Sequence, residues 1–273
     1  MVTAFAVAAA VTLIFIPYVK RMLEVPQALK NNYLGERIPN GMGIVFLPAV
    51  MCGSIVLILT RETEITLVLL TVLGTAVMSL AGIADDLLGD NKTKGLRGHI
   101  GCLFRGRLTT GGFKALAGGM TAVLLSVLVS ARLTEGVLNC ILIMLFTNLL
   151  NLLDLRPGRA IKTFFIAWGV TFFIPSFRDH WSVLSPLAGG LATYIPYEMG
   201  RKGMMGDAGS NGIGVSLGLY YCLGTKLYHK VAIVAVLVLL HILSEKYSIT
   251  TFINRNKILR YIDGFGNKGS GHA

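Results

Sequence analysis

The chain has 273 residues, of which 53% are hydrophobic and only 14% are Asp, Glu, Lys or Arg. Soluble domains carry about 25% charged residues, and here the charges cluster between long uncharged runs, so a soluble globular fold is excluded. The net charge of +11 then reads as loop charge beside an anionic leaflet, and no nucleic-acid partner is expected.

A bilayer core requires about 20 consecutive apolar residues in a helix. Uncharged windows fall near 2–19, 38–60, 65–84, 115–131, 136–153, 163–177, 181–197, 208–225 and 231–243. They predict an all-α polytopic membrane protein with about nine transmembrane helices over 1–245 and an amphipathic tail over 246–273. The first window has no basic residue before it and Lys20 and Arg21 after it, the pattern of a retained span rather than a cleaved signal. Cys52, Cys102, Cys140 and Cys222 show no CxxC or zinc spacing, and they imply neither a disulfide framework nor a metal site.

The loops after spans one, three, five and seven, with the tail, carry every Lys and Arg except Arg61, Arg132, Arg178, Lys226 and Lys230. Basic loops are retained in the cytoplasm, which predicts an outside N-terminus and a cytoplasmic C-terminus. Asp85, Asp86, Asp154 and Asp207 then lie at or near span ends on the cytoplasmic face. Carboxylates that close to hydrocarbon are costly unless they face a polar cavity or a cation. Four of them on one face suggest a metal-dependent site at the membrane surface. Simple balancing of basic loops accounts for Asp90 and Asp263.

The chemistry-bearing segments follow in chain order. RIPNGMGIVF (37–46) offers Arg37 to a phosphate, with glycines that let backbone approach a ligand, although taken alone it reads first as a plain turn before a helix. SLAGIADDLLGDNKTKGLRGH (79–99) ends a span in adjacent Asp85 and Asp86, whose repulsion a Mg²⁺ ion would relieve. Lys94, Arg97, Arg105, Arg107 and Lys114 follow, suited to a lipid phosphate, a nucleotide diphosphate or an anionic lipid surface. In TNLLNLLDLRPGRAIK (147–162), Asn148, Asn151 and Asp154 are three apart and share a helical face, expected to point into the bundle. Arg156 and Arg159 then sit on a turn that would suit a diphosphate. In RKGMMGDAGSNGIG (201–214), Asp207 lies between Gly206 and Gly209, with Ser210 opening a helix whose backbone N–H groups are expected to reach an anion or its metal. The tail places Ile249, Phe252, Ile253, Ile258, Leu259 and Ile262 on an amphipathic stretch that would lie on the membrane surface or against the bundle.

Taken together, the blocks RIPNGMG, AGIADDLLGD, NLLNLLD and MGDAGSNGIG resemble the polyprenyl-phosphate N-acetylhexosamine-1-phosphate transferase superfamily over most of the chain. The resemblance implies transfer of a phospho-sugar from a UDP-sugar to a polyprenyl phosphate, with Mg²⁺, or Mn²⁺ as the alternative ion, and release of UMP. It implies a catalytic set of Asp85, Asp86 and Asp207, with Asp207, Asp86 and Asn151 at the metal. Asn151 and Asp154 match the start of the family's NxxDGxDG nucleotide motif, and Lys114 its basic residue after the dyad loop. Arg37, Lys94, Arg97, Arg156, Arg159, Gly206, Gly209 and Ser210 join these as expected substrate-binding residues. A multi-pass protein of the bacterial plasma membrane, serving cell-envelope glycan synthesis and plausibly homodimeric, is the corresponding expectation.

Three departures bear on the substrate. Pro157 stands where the second aspartate of NxxDGxDG belongs, so uracil recognition does not carry over. The family's His-rich motif is missing, with only His99, His241 and His272 to substitute, and the chain is shorter than usual members. These changes motivate one alternative, a non-catalytic member that binds polyprenyl phosphate or a nucleotide-sugar as a regulator or assembly partner. A transporter would instead place acids near mid-span. The CDP-alcohol phosphotransferase series is absent.

Overall fold

A computed structural model describes residues 1–89, 98, 101–102 and 105–265. Helix α1 (Val2–Met22) leads into a short hairpin, β1 (Leu29–Asn31) and β2 (Arg37–Pro39). A 3-10 turn (Met42–Val45) runs directly into α2 (Phe46–Thr60), followed by α3 (Ile65–Leu88), α4 (Thr110–Leu128) and α5 (Leu133–Leu153). Next come α6 (Arg159–Thr171), a second 3-10 segment (Pro175–Leu184), α7 (Ser185–Met199), α8 (Gly206–Gly224) and α9 (Leu227–Lys246). The tail holds α10 (Ile249–Arg255) and α11 (Lys257–Gly264).

Each uncharged window contains helix, but the windows differ in reach. Among the described residues six segments are long and apolar enough to cross a membrane: α1, Met42–Thr60, α3, α4, α5 and α9. Helix α6 has 13 residues and α7 has 15. At 1.5 Å per residue these rise about 20 Å, short of a hydrocarbon core of about 30 Å. Pro175 opens the 3-10 segment that separates them, and Trp181 seats that segment by stacking on Trp168 with ring centroids 4.2 Å apart.

Helix α8 is the axis of the bundle. Every residue from 208 to 220 is buried, packed between α3 and α5. Its small residues make that possible: a Cβ on Gly82 of α3 would sit 2.3 Å from the Asp207 carbonyl oxygen, and one on Gly214 would sit 2.4 Å from Thr147 Cα. Backbones in contact gain dispersion along their length without large side chains. Helices α1, α2 and α7 form a second group, and α9 lies against α5 at the periphery.

The hairpin is an addition to the all-α expectation. Leu29, Lys30 and Asn31 pair antiparallel with Pro39, Ile38 and Arg37. Asn32 closes the turn, its Oδ1 accepting from the N–H groups of Leu34 (2.9 Å) and Glu36 (3.0 Å). The strand continues into a second pairing: Met204 N–H donates to the Pro39 carbonyl (2.8 Å), and the N–H groups of Met42 and Gly43 donate to the carbonyls of Met204 (3.0 Å) and Met205 (2.8 Å). RIPNGMG is thereby laid along the loop that leads into α8.

Candidate functional site at the start of α8

The N-terminus of α8 is where the separate blocks meet. Its first N–H groups have no helical acceptors, and carboxylates from other elements supply them. Asp86, near the end of α3 and 7% exposed, accepts from the Asp207 N–H through Oδ1 (3.2 Å) and from the Ala208 N–H through Oδ2 (3.0 Å). Asn40 Nδ2 donates to the same Oδ1 (2.8 Å). The Gly206 N–H faces the Asp154 carboxylate. Gly206 itself has φ +69°, and a Cβ there would lie 2.6 Å from Asp86 Oδ2. Only glycine fits both the conformation and the space.

The sequence sets these amides against an anion or its metal. Here they face the protein's own carboxylates, Asp86 from α3 and Asp154 just after α5.

Asp85 has a different environment from its neighbour. Consecutive residues on a helix project about 100° apart, so Asp85 turns toward α4. There the Lys114 ammonium lies 2.7 Å from Asp85 Oδ2 and also contacts Asp207 Oδ2. The three side chains are about one-fifth exposed, so the group is open on one side. Thr109 fixes the start of α4 by accepting from the Gly112 N–H (3.0 Å), which sets Lys114 one turn in. Asp85 and Asp207 share this ammonium, whereas Asp86 is met by the backbone N–H groups and Asn40.

A second carboxylate cluster braces the approach. Glu198, 3% exposed, accepts from the Gly158 N–H (3.1 Å) and the Met205 N–H (3.2 Å), tying the Arg156–Arg159 turn to the loop before Asp207. Burial, and then the neighbouring Glu198 charge, push the Asp154 carboxyl well above the usual carboxylate range.

The remaining expected residues divide. Asn151 Oδ1 accepts from Ser210 Oγ (3.1 Å), joining α5 to the first turn of α8. Gly209 lies at backbone contact with Gly43. Asn148 is exposed rather than turned into the bundle. Arg156 packs over the Tyr33 ring, 4.3 Å from its centroid. Arg37 is exposed on β2 and donates to the Pro26 carbonyl (3.4 Å). Arg159 is 4% exposed, and its Nε and Nη2 pair with the two Asp263 oxygens at 2.8 and 2.9 Å, so its guanidinium serves the tail. Lys94, Arg97, His99 and His272 lie outside the described residues. His241 sits on peripheral α9 with Nδ1 2.7 Å from the Leu237 carbonyl.

Sequence reasoning missed Glu198, Asn40 and Tyr33. Glu198 carried a usable signal, since it closes an apolar run near Gly200, as Asp85 and Asp86 close one near Gly89. Asn40 and Tyr33 carried none beyond a turn composition.

Whether these residues suit Mg²⁺ can be read from the donors. Magnesium binds through one or two carboxylates plus substrate phosphates and water, and Asp85 and Asp207 already converge on one cation, the Lys114 ammonium. Among the described residues no group of three or more His, Cys, Asp or Glu side chains is arranged to hold a metal. Asp86, with its oxygens accepting three N–H donors, and Asn151, accepting from Ser210, are placed as supports. Asp85 and Asp207 are the two carboxylates whose oxygens meet at one point, the Lys114 ammonium.

No family model matches the chain, and no curated protein matches it.

Proposed function

We propose that the protein transfers a phospho-sugar from a nucleotide-sugar to a polyprenyl phosphate at the cytoplasmic membrane surface of a bacterial cell, releasing a nucleoside monophosphate. The observation that carries the reading is the convergence of Asp85 and Asp207 on the Lys114 ammonium, at the junction of α3, α4 and α8. In this reading nine helices cross or enter the membrane, with the N-terminus outside, and the site faces the leaflet that carries the acceptor.

The chemistry asks the protein to bring two anions together. Mg²⁺, held by Asp85 and Asp207, would supply charge neutralisation at the donor diphosphate. Lys114, released from one carboxylate, would neutralise an oxygen of the acceptor phosphate or of the donor. The acceptor phosphate oxygen forms a bond to the sugar-bearing phosphorus. The bond from that phosphorus to the bridging oxygen breaks, and the nucleoside monophosphate leaves with the electron pair. The acceptor phosphate is largely ionised near neutral pH, so positioning by Asp85 and Lys114 outweighs proton abstraction. This reading assigns Asn151, Asp154 and the Tyr33–Arg156 contact to the nucleoside.

The Lys114 ammonium already seated between both carboxylates favours a second reading, a protein that binds these ligands without turnover. The test is a transfer assay on purified protein with Mg²⁺, undecaprenyl phosphate and a panel of UDP-, CDP-, GDP- and dTDP-sugars, scoring lipid-linked product and nucleotide release. Product from one donor supports the enzyme. Tight Mg²⁺-dependent binding of a donor with no product supports the binder.

A further inference from the structure

The tail presents two apolar faces. One is turned inward: Ile253, Leu259 and Ile262 close a cavity of about 280 Å³ with Leu149, Ile166 and Leu243. Among the described residues the other has no protein against it. Ile258, Tyr261 and Phe265 are 71%, 73% and 67% exposed, and they extend one side of α11. A helix turned to water on that side would not carry three large apolar side chains there.

The charges frame that outer face. Arg255, Lys257 and Arg260 are all exposed, whereas the acid of this segment, Asp263, pairs with buried Arg159 and gives its carbonyl to Lys162 Nζ (2.7 Å). The position is fixed as well. Helix α9, one of the membrane-length helices, ends at Lys246 and α10 begins at Ile249. The three residue steps from Lys246 to Ile249 reach at most about 11 Å, so the tail starts near the edge of the hydrocarbon.

We infer that residues 249–265 form a clasp that docks on an anionic phospholipid surface through Ile258, Tyr261, Phe265, Arg255, Lys257 and Arg260, pinned to the bundle by Arg159 and Asp263. An apolar stripe flanked by cations is the pattern of a helix lying in the lipid interface. A second copy of the same face would set these cations against one another. The clasp closes on the same end of the bundle as the carboxylate site, since Arg159 directly follows Gly158, whose N–H is held by Glu198.

The test is hydrogen exchange on the full chain in nanodiscs of phosphatidylcholine, alone or mixed with phosphatidylglycerol. Each basic residue near an anionic surface contributes roughly a factor of five in binding, so amides of 257–264 should exchange at least several-fold more slowly in the anionic discs. The variant R255Q/K257Q/R260Q should lose that lipid difference while exchange in α8 stays unchanged. Asp263→Asn should speed exchange of 257–264 in both lipids. Equal exchange of the parent in the two lipids, or a lipid difference that survives in the triple variant, would overturn the inference. Neither readout depends on transfer activity, so it stands or falls apart from the proposed reaction.

Discussion

Asp85 and Asp86 are adjacent in the chain and about 100° apart around α3, and that angle divides their work. Asp86 holds the start of α8 through two backbone N–H groups and Asn40, whereas Asp85 shares Lys114 with Asp207. Asp86→Ala removes a cap and leaves buried donors unpaired, so it should cost about 2 kcal/mol or more of stability. Asp207→Asn should leave the melting temperature near that of the parent while abolishing transfer. A parental melting temperature in Asp86→Ala would contradict the capping role. Asp154 gives a pH signature. In the unfolded chain it ionises near 3.9, whereas in the folded protein burial and Glu198 hold its proton to higher pH. The folded state then binds more protons, and its stability from this group falls as pH rises from about 4 through the folded-state value. Asp154→Asn should therefore be more stable than the parent at neutral pH, with the difference closing toward pH 4. A difference that stays constant with pH would remove Asp154 from this role.

At the scale of elements, the carboxylates can meet because α8 lies close enough to α3 and α5 for backbones to touch. Gly82→Ala tests that closeness, since its Cβ would meet the Asp207 carbonyl at 2.3 Å. Overpacking of this kind costs about 1–3 kcal/mol, and here it would also push Asp207 away from Asp85. Thermal melting together with loss of transfer should register both effects. The helices and the meeting of the DD and GDAGS blocks were legible because burial in lipid writes itself as long uncharged runs, and because acids near hydrocarbon stand out. What was not legible depended on partners distant in the chain. Arg159 looks like a phosphate ligand until Asp263, 104 residues away, is folded against it. Asp86 looks like half of a metal dyad until α8 places its N–H groups there. The shortness of α6 and α7 is written in Pro175 and Pro186, but an uncharged window does not register where a helix stops.

The whole molecule is organised from one end: the four motif blocks, the hairpin and the tail clasp all gather at the start of α8, and the opposite end is closed by the Trp168–Trp181 stack. In the proposed topology the gathered end faces the cytoplasm, on the side where Lys and Arg are concentrated. Cysteines introduced at Arg37 and Arg132, in a background lacking the four native cysteines, should label from opposite sides of sealed vesicles, and labelling from one side would contradict the topology. The central claim is that Asp85 and Asp207 hold the cation that permits phospho-sugar transfer. The measurement that tests it most directly is nucleoside monophosphate release by the nanodisc-embedded protein from its preferred nucleotide-sugar and undecaprenyl phosphate, at varied Mg²⁺, with Asp207→Asn and Asp85→Asn alongside. The account predicts Mg²⁺-dependent release in the parent and losses of at least about 10²-fold in both variants, the scale of a lost transition-state charge contact. Release that is independent of Mg²⁺, or that persists in both variants, would contradict it.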